Sequence, residues 1–427
     1  MFETKEHLHI KDNHLYIAGA DSVALAEKFG TPLYVTDEDR LRDNIRRYHR
    51  AFPDAWIYFA VKANGNLALL RVLVQEGAGA DVFSGGELHL ARLAGVPRDR
   101  ILFNGNSKNE KELVMAVEAG VTVSVDSPEE LRALSQVASR RDKRVDILLR
   151  VNPDISVKTH PHIATGLRTS KFGIPSEDVI DACIRAQKLE GIRLIGLHCH
   201  IGSQILEIDP FVEAANKMLD LAGQVADMGV EIRLIDLGGG LGIQYNPEVA
   251  APKPADLAAG VLPVFKDRCR DIGISPQLIL EPGRSIVADT TVLLTRVNVV
   301  KRSHMSFVGV DAGFNLLCRP MLYSAYHHAM VANKADIPPY GSYTVVGPIC
   351  ETGDVLAKDR QLPQIERGDL IAFLDTGAYG YSMSSQYNGQ PRCAEVLVKN
   401  GLAEVTRKSE DFSALLCGQT LPARLLK

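Results

Sequence analysis

The sequence predicts an α/β fold in which a (β/α)8 TIM barrel is followed by an antiparallel β domain. Short apolar runs alternate with longer, charged and amphipathic stretches between about residue 32 and residue 288. Helices that cover a parallel sheet produce this alternation, and repeated units over about 250 residues favour a closed barrel over an open doubly wound sheet. After about residue 288 the runs become shorter and are separated by Gly, Pro, Asp and Asn, which is typical of antiparallel strands.

The barrel strands are predicted at about eight apolar runs that are rich in β-branched and aromatic residues. These runs lie at residues 56–61, 80–83, 101–103, 121–125, 145–151, 194–198, 232–237 and 278–280. The intervals between them carry apolar residues at helical spacing together with many charges, as expected of helices on the outside of a barrel.

The second domain is predicted from strand-like runs at residues 292–300, 305–310, 343–346, 370–374 and 395–398. A hairpin is also predicted near the N-terminus, where residues 9–10 and 15–17 flank a turn at Asp12-Asn13. This hairpin could pair with the C-terminal sheet, so that both ends of the chain build the second domain. The expected bounds are 32–288 for the barrel, and 1–31 with 289–427 for the β domain.

Composition and charge indicate a soluble cytoplasmic enzyme. The hydrophobic share of 46% and the charged share of 23% are those of an ordinary globular protein. A net charge of −4 provides no basic surface for nucleic acid or for an anionic membrane. The sequence has no apolar run of about 20 residues, and its first residues lack the apolar core of a secretory signal. The seven cysteines show no CxxC spacing, which favours reduced thiols over a disulfide framework or a zinc site.

Candidate site residues are expected where barrel strands end, because the active sites of such barrels lie at the C-terminal ends of the strands. Lys62 closes the apolar run 57–61. A lysine at this point lies in a partly desolvated cleft, where its amine can attack an aldehyde. For this residue taken alone, a lysine that reaches solvent from a strand end is the more common explanation.

The segment His198-Cys199-His200 follows another strand and resembles a metal-binding sequence. Residues i and i+2 of a strand share one face, so Cys199 points away from both histidines. No carboxylate or further His/Cys cluster completes a zinc site, and we expect no metal. His200 is better explained as a flat ring on which a planar cofactor stacks, and His198 as a histidine of the core.

Two further strand ends carry groups that can bind a phosphate and a ring nitrogen. The glycine-rich residues 238–242 lack the last glycine of a dinucleotide fingerprint, because Ile243 stands there. Their amides can form a nest for one phosphate, or the glycines can simply make a tight turn. Glu281 can keep a pyridine nitrogen protonated, and Arg284 can bind a phosphate or carboxylate. Taken in isolation, Glu281 and Arg284 could equally well form a surface ion pair.

Long motifs occur in order along almost the whole chain: YFAVKAN, DVFSGGEL, HPHIATGLRTSKFGI, HCHIGSQ, DLGGGLGI, EPGRSIV, RPMLYSAYH, CETGD and GAYGYSMSSQYNGQPRCAEVLV. On these motifs the chain resembles the fold-type III pyridoxal-phosphate decarboxylases, and among them the diaminopimelate decarboxylases of bacterial lysine synthesis. The resemblance implies a barrel plus a β domain, pyridoxal 5′-phosphate as cofactor, and a homodimer with active sites at its interface. Two departures are that Cys393 stands where the family commonly has proline, and that CETGD replaces the more usual CESxD.

The resemblance also implies roles for individual residues. Lys62 would bind the cofactor's aldehyde, His200 would stack on its ring, and Glu281 would pair with its ring nitrogen. Asp81 and Glu87 would make supporting contacts. The phosphate would be held by Ser203, Gly240 and the backbone of Gly283 and Arg284, and Tyr387 would also touch it. The substrate would be bound by Arg284, Arg319, Tyr323, Glu351 and Tyr387.

Cys350 and Glu351 would reach in from the partner subunit, with Cys350 as the acid that protonates the carbon from which the carboxylate leaves. Arg319 beside Tyr323 suits a carboxylate at the far end of the substrate, which favours meso-2,6-diaminopimelate. A polyamine precursor such as ornithine would need an acidic group there instead.

Three alternatives stay open at this point. The first is a sister decarboxylase, acting on carboxynorspermidine or on an acylated carrier protein. The second is a catalytically dead homologue that regulates a partner, although such relatives lose cofactor residues, and Lys62, His200, Glu281 and Arg284 are all present. The third is a racemase on the same barrel, which the long C-terminal motifs do not fit.

Overall fold

The computed structural model describes residues 7–156 and 170–426, so most of the motif HPHIATGLRTSKFGI lies outside the described residues. Contacts divide the chain into a barrel unit, Leu41–Ala288, and a β unit made of Met1–Arg40 together with Asp289–Lys427. The domain bounds expected from the sequence, 32–288 and 1–31 with 289–427, stay a proposal.

The described strands, in chain order, are β1 (Leu8–Lys11), β2 (His14–Ile17), β3 (Ala20–Asp21), β4 (Leu33–Asp37), β5 (Trp56–Ala60), β6 (Gly79–Val82), β7 (Ile101–Phe103), β8 (Thr122–Val125), β9 (Val145–Asn152), β10 (Ile174–Pro175), β11 (Ile192–Cys199), β12 (Leu234–Asp236), β13 (Gln277–Leu280), β14 (Thr291–Arg302), β15 (Ser306–Val310), β16 (Ala329–Val331), β17 (Gly341–Val346), β18 (Val355–Leu362), β19 (Leu370–Phe373), β20 (Ala394–Lys399) and β21 (Leu402–Arg407). The described helices are α1 (Ser22–Phe29), α2 (Glu38–Ala51), α3 (Leu67–Gln75), α4 (Gly85–Leu93), α5 (Glu110–Ala119), α6 (Pro128–Ser139), α7 (Val179–Lys188), α8 (Asp209–Asp227), α9 (Pro254–Asp271), α10 (Arg284–Val287) and α11 (Arg319–Tyr323).

The barrel unit contains a closed ring of parallel strands, which confirms the predicted (β/α)8 fold. The strands pair in the order β5-β6-β7-β8-β9-β11-β12-β13, and β13 pairs with β5 to close the ring. The barrel interior is filled by one side chain from each of several strands: Tyr58, Leu102, Leu148, Ile195, Leu234 and Ile279. Because this interior is packed, ligands have to bind at an end of the barrel.

Short connections at the C-terminal ends of the strands lead into capped helices. The side chains of Asn66, Ser84, Asn109 and Ser127 accept backbone N–H bonds at the starts of α3, α4, α5 and α6. Such caps satisfy amides that the first helical turn leaves unpaired. They fix where each helix begins, and so fix the polar residues that lie between a strand and its helix.

The β unit is built around the long strand β14. Its first half pairs antiparallel with β4 and β19, and its second half pairs with β15. The sheet is mixed, because β4 pairs in parallel with β20 and β15 pairs in parallel with β17. Two apolar cores form in this unit, one around Phe373 and Val345, the other around Leu294 and Val396.

The N-terminal hairpin is present and contributes to the β domain as predicted, but its strands form a separate sheet instead of joining the C-terminal sheet. β1 and β2 pair around Asp12 and Asn13, both with positive φ, and β2 continues to β3 in a separate three-stranded sheet. Strand β4 joins the C-terminal sheet instead. The reason is burial: every residue of β4 is buried, whereas β2 alternates between buried and half-buried residues, so β4 suits the centre of a sheet.

The hairpin still belongs to the β unit through its apolar face. Leu15 and Ile17 pack in the same core as Leu370 and Val396. The Leu15 amide also donates a hydrogen bond of 2.8 Å to the carbonyl oxygen of Ala332. Both ends of the chain therefore contribute to one core. Among the described residues, no helix is both long and apolar enough to cross a membrane.

Candidate active site

Lys62 lies directly after strand β5, in the turn that precedes helix α3. Its Nζ donates a hydrogen bond of 2.7 Å to Oδ2 of Asp81, on the neighbouring strand β6. The Asp81 side chain is 1% exposed, whereas the Lys62 side chain keeps 35% of its surface exposed. The ring of Phe83 lies 5.6 Å from the same Nζ. The amine is therefore held in place and remains accessible to a small molecule.

Asn104 joins two buried carboxylates. Its Nδ2 donates to Oδ1 of Asp81 at 2.6 Å and to Oε1 of Glu281 at 2.7 Å. An amide nitrogen carries two hydrogens, so one side chain can serve both oxygens. Asn104 follows β7 and Glu281 follows β13. A continuous chain of hydrogen bonds therefore runs from Lys62 to Glu281 across the adjacent strands β13, β5, β6 and β7.

Glu281 is held in its charged form although it is buried. Its Oε2 lies 3.5 Å from Nε2 of His198, whose Nδ1 contacts the Ser124 hydroxyl at 2.7 Å. Burial acts to raise the pKa of Glu281, but the interactions with His198 and the charge of Lys62 outweigh it and hold the pKa below its usual range. Glu281 can therefore present a negative charge to a cationic group inside the barrel.

The pKa of Asp236 is shifted in the opposite direction, towards the neutral form of the carboxyl group. Its Oδ1 accepts the Gly238 amide at 2.7 Å, and its Oδ2 has no hydrogen-bond partner among the described residues. Burial, and then the negative charge of Glu281, raise the pKa of Asp236 well above its ordinary value. Burial and Glu281 also raise the pKa of Asp81, against the opposing effect of Lys62. Of these three carboxyl groups, Glu281 is the one that favours the charged form.

His198, Asp236 and Glu281 also offer potential metal ligands. One atom of each lies within 4.8 Å of the others, and all three residues are buried. Burial and the charge of Glu281 raise the pKa of Asp236, and the three groups alone do not distinguish a metal ion from a protonated ring nitrogen as the cation that Glu281 faces. A protonated ring nitrogen needs only the single carboxylate of Glu281.

His200 lies beside the glycine-rich turn that follows β12. Its Nδ1 accepts a hydrogen bond of 3.2 Å from the Gly239 amide, which places the ring proton on Nε2. Burial, and then the positive charges of Lys62 and Arg150, lower the pKa of His200 well below its ordinary value. A Cβ on Gly239 would lie 2.0 Å from the carbonyl oxygen of Glu281, so only glycine fits this turn. The result is a neutral, flat ring packed against the glycine backbone of the turn.

Arg284 and Ser203 form a buried polar group next to the same turn. Nη2 of Arg284 donates to the Ser203 hydroxyl at 2.9 Å, and Nη1 donates to the Tyr245 hydroxyl at 2.9 Å. Arg284 begins α10, directly after Gly283, and is 6% exposed. A Cβ on Gly240, whose φ is 119°, would lie 2.4 Å from a neighbouring carbonyl oxygen. A fixed guanidinium, a hydroxyl and the backbone of Gly240, which no side chain covers, suit a phosphate.

The β unit holds the second set of predicted residues. Arg319 begins α11 and Tyr323 ends it. Nη1 of Arg319 contacts Nε2 of His327 at 2.7 Å, and Nδ1 of His327 contacts the carbonyl oxygen of Leu374 at 2.9 Å. Since a carbonyl oxygen can only accept, Nδ1 of His327 donates and its Nε2 accepts from Arg319. The guanidinium of Arg319 is thereby oriented by its neighbours.

Cys350 and Glu351 lie in the connection between β17 and β18, and both are exposed. Sγ of Cys350 lies 3.5 Å from Oδ1 of Asn388 and 3.9 Å from Oε1 of Glu351. The Tyr387 hydroxyl donates to the same Glu351 oxygen at 2.6 Å, and this interaction raises the pKa of Tyr387 to about 12. Within the β unit, three residues that the resemblance singled out therefore lie together.

Each unit thus contains one set of the residues predicted from the sequence. The barrel unit holds Lys62, Asp81, Glu87, His200, Ser203, Gly240, Glu281, Gly283 and Arg284. The β unit holds Arg319, Tyr323, Cys350, Glu351 and Tyr387. Glu87 accepts the Phe83 amide at 2.7 Å near the start of α4, so it supports the backbone beside Lys62.

Sequence reasoning missed Asn104, Asp236 and Tyr245. Asn104 directly follows the last residue of β7 and Asp236 ends β12, so the strand-end rule that selected Lys62 could have found both. Tyr245 carries no such signal, because its contact with Arg284 depends on the path of the chain after β12.

The donor set of the barrel unit fits pyridoxal 5′-phosphate. An accessible amine matches its aldehyde, and a buried ionised carboxylate matches its protonated ring nitrogen. A buried arginine with a hydroxyl and the glycine turn matches its phosphate. The amine follows β5, the carboxylate and the arginine both follow β13, and the hydroxyl and the glycine turn follow β11 and β12.

We expect Asn104→Leu to lower the free energy of unfolding by about 2 kcal/mol, because two buried carboxylates would lose their shared donor. Urea denaturation followed by circular dichroism measures this change. In a Glu281→Gln background the same substitution should cost about half as much, since one of the two charges is then absent. An unchanged urea midpoint for Asn104→Leu would contradict the role assigned to this side chain.

Comparison with known proteins identifies the family. A family model described as "Pyridoxal-dependent decarboxylase, pyridoxal binding domain" matches residues 38–288. A diaminopimelate decarboxylase of Archaeoglobus fulgidus is 55% identical over 97% of this chain and 99% of its own length. One from Methanothermobacter thermautotrophicus is 47% identical over 97% of each chain. The crystal structure of diaminopimelate decarboxylase from M. jannaschii in complex with L-lysine superposes with a TM-score of 0.94 at 39% identity, covering 98% of this chain and 99% of that one. The chain therefore belongs to the pyridoxal-dependent decarboxylases, in the diaminopimelate decarboxylase family.

Proposed function

We propose that this chain catalyses the pyridoxal-phosphate-dependent decarboxylation of meso-2,6-diaminopimelate to L-lysine and CO2, the last step of lysine biosynthesis. The observation that carries the proposal is the hydrogen-bond chain from Lys62 through Asp81 and Asn104 to Glu281. It couples an accessible amine to a buried, ionised carboxylate. The shared name of relatives that match over almost the whole chain supports the choice of substrate.

The residues proposed to hold pyridoxal phosphate are Lys62, His200, Ser203, Gly240, Glu281, Gly283, Arg284 and Tyr387. When bound, the cofactor supplies a conjugated ring that takes up the electron pair of the broken C–CO2 bond. Lys62 would hold the cofactor through its aldehyde carbon. Asp81, which contacts Nζ, would keep the amine positioned beside the cofactor.

With the cofactor bound, Glu281 would favour the protonated form of the ring nitrogen, and the neutral His200 would not oppose that proton. A carboxylate whose pKa lies below its usual range binds a cationic N–H well, because it is charged whenever the site is assembled. His200 is neutral, so it can lie against a ring without adding a second positive charge. Its Nδ1 is already occupied by the Gly239 amide, which fixes the plane of the ring.

Arg319 supports a substrate that carries a carboxylate at its far end. Its guanidinium is 5% exposed and is oriented by His327. A desolvated guanidinium binds a carboxylate strongly and repels an ammonium group. Diaminopimelate has a second carboxylate at that end, whereas ornithine does not, so this residue distinguishes between the two.

Cys350 is proposed as the acid that completes the reaction. Its proton goes to the carbon from which CO2 has left, and the new C–H bond uses the electron pair of the broken C–CO2 bond. The sulfur keeps the electrons of its S–H bond and takes a new proton from solvent, to which Cys350 is exposed. The oxygens of Asn388 and Glu351 lie beside Sγ and can orient the S–H group.

The purified chain, supplied with pyridoxal phosphate, is expected to convert meso-diaminopimelate to lysine and CO2, and to leave ornithine and glutamyl substrates unchanged. Lys62→Ala should lose the visible absorption of the bound cofactor and nearly all turnover, because the amine that binds the aldehyde is gone. Lysine formation is measured by chromatography and cofactor binding by absorption. No lysine from diaminopimelate, or faster turnover of another panel member, would overturn the assignment in favour of a sister decarboxylase.

We further propose that the chain acts in the cytoplasm as a homodimer with shared active sites, as the family resemblance implies. If Lys62 and Cys350 of one site come from different subunits, mixed dimers of Lys62→Ala and Cys350→Ala regain one intact site. Random mixing of the two inactive variants should then restore about a quarter of wild-type activity. Activity that stays at the level of the separate variants would contradict shared sites, with the molar mass from light scattering as the control for dimer formation.

A further inference from the structure

Backbone hydrogen bonds join the two ends of the loop that carries Cys350 and Glu351. It comprises residues 347–354, between β17 and β18. The Gly347 amide donates to the carbonyl oxygen of Asp354 at 3.1 Å, and the Asp354 amide donates to that of Glu351 at 3.0 Å. The base of the loop is therefore fixed, while the two side chains at its tip are exposed.

Asp354 lies beneath this tip and is 3% exposed. Its Oδ2 accepts the Ile349 amide at 2.8 Å, and its Oδ1 accepts the Phe314 amide at 2.6 Å. Hydrogen bonds from an amide to a carboxylate are shorter and stronger than those between neutral groups. Because Ile349 directly precedes Cys350, one of the two bonds fixes the backbone next to the thiol.

Two glycines provide the space for this carboxylate. A Cβ on Gly347 would lie 2.3 Å from Oδ2 of Asp354, and a Cβ on Gly313 would lie 2.9 Å from the same atom. Neither distance is compatible with a side chain. The backbone of both segments therefore packs directly against the Asp354 carboxylate.

The hydrogen bond from the Phe314 amide to Asp354 also helps to position the segment that carries Tyr387. The Phe314 ring lies 5.7 Å from the Tyr387 ring, and the Asn315 carbonyl oxygen accepts the Ser385 amide at 2.8 Å. The Tyr387 hydroxyl in turn donates to Glu351. Two chain segments, 313–315 and 347–351, thus meet at one buried carboxylate, and the segment that carries Tyr387 contacts both of them.

We propose that Asp354 is a positioning residue of the decarboxylase, whose carboxylate fixes Cys350, Glu351 and Tyr387 relative to one another through the Ile349 and Phe314 amides. The inference rests on the proposed function, in which Cys350 delivers the proton. It assigns a task to the last residue of the CETGD motif. Only a carboxylate can accept from both amides, since an asparagine at this position would turn an NH2 group towards one of them.

The variant Asp354→Asn tests this on the holoenzyme, with Asp359→Asn as a matched control. Asp359 is exposed on the following strand, and its substitution removes the same charge. We expect kcat to fall about ten- to a hundredfold in Asp354→Asn, because a misplaced acid slows proton delivery. The absorption of the bound cofactor should stay unchanged, since it reports the bond to Lys62, and Lys62 and its partner Asp81 are intact. Both readouts should be unaffected in Asp359→Asn.

A second readout does not depend on turnover. Alkylation of Cys350 by iodoacetamide, measured by mass spectrometry relative to the exposed Cys417, should differ from wild type in Asp354→Asn and stay at the wild-type value in Asp359→Asn. If wild type makes no lysine, the proposed function fails, while the alkylation ratio still tests the positioning.

Gly347→Ala provides a variant that keeps the charge but displaces the carboxylate, and it should reproduce both effects. If Asp354→Asn does not fold, Gly347→Ala still tests whether Asp354 positions Cys350. An alkylation ratio that stays at the wild-type value in the folded variants would overturn the proposal, whatever the change in kcat.

Discussion

The barrel site depends on one electrostatic constraint: Glu281 must keep its negative charge while it is buried. An isolated carboxylate in a low-dielectric interior is costly, and it is tolerated only where hydrogen bonds and opposite charges compensate it. Here Asn104 and His198 contact the two oxygens, and the nearby positive charge of Lys62 also favours the ionised form. The residues that prepare the cofactor site are thus the same ones that make the buried charge tolerable.

The parallel barrel makes this network possible, because its adjacent strands end at one face. β13, β5, β6 and β7 are neighbours in the ring, and each ends at or next to one member of the network. The same surroundings shift the pKa values of two chemically similar carboxyl groups in opposite directions. Asp236 is driven towards its neutral form, Glu281 towards its charged form, and His200 stays neutral. Such separation of pKa values within one site is how enzymes assign distinct roles to similar groups.

Much of the barrel and part of its site follow from sequence patterns alone. The apolar runs at 56–61 and 101–103 become strands β5 and β7, and the strand-end rule points to Lys62 and Glu281. Long-range pairing is not determined by such local patterns. The place of β4 between β14 and β20 was therefore missed, as was the bridge that Asn104 makes to Glu281. Cys350 is an exposed thiol on a loop, and only the family resemblance drew attention to it.

The most direct test of the account is the identity of the lysine that binds the cofactor. Reduction of the holoenzyme with borohydride makes the bond between an amine and an aldehyde permanent, so that peptide mapping reveals its position. Lys108 provides an internal contrast, since its Nζ lies 2.6 Å from Glu130, its side chain is 1% exposed, and burial lowers its pKa. We predict the pyridoxyl group on Lys62 and none on Lys108. A label on Lys108, or no labelled lysine in a chain that carries the cofactor, would contradict the account.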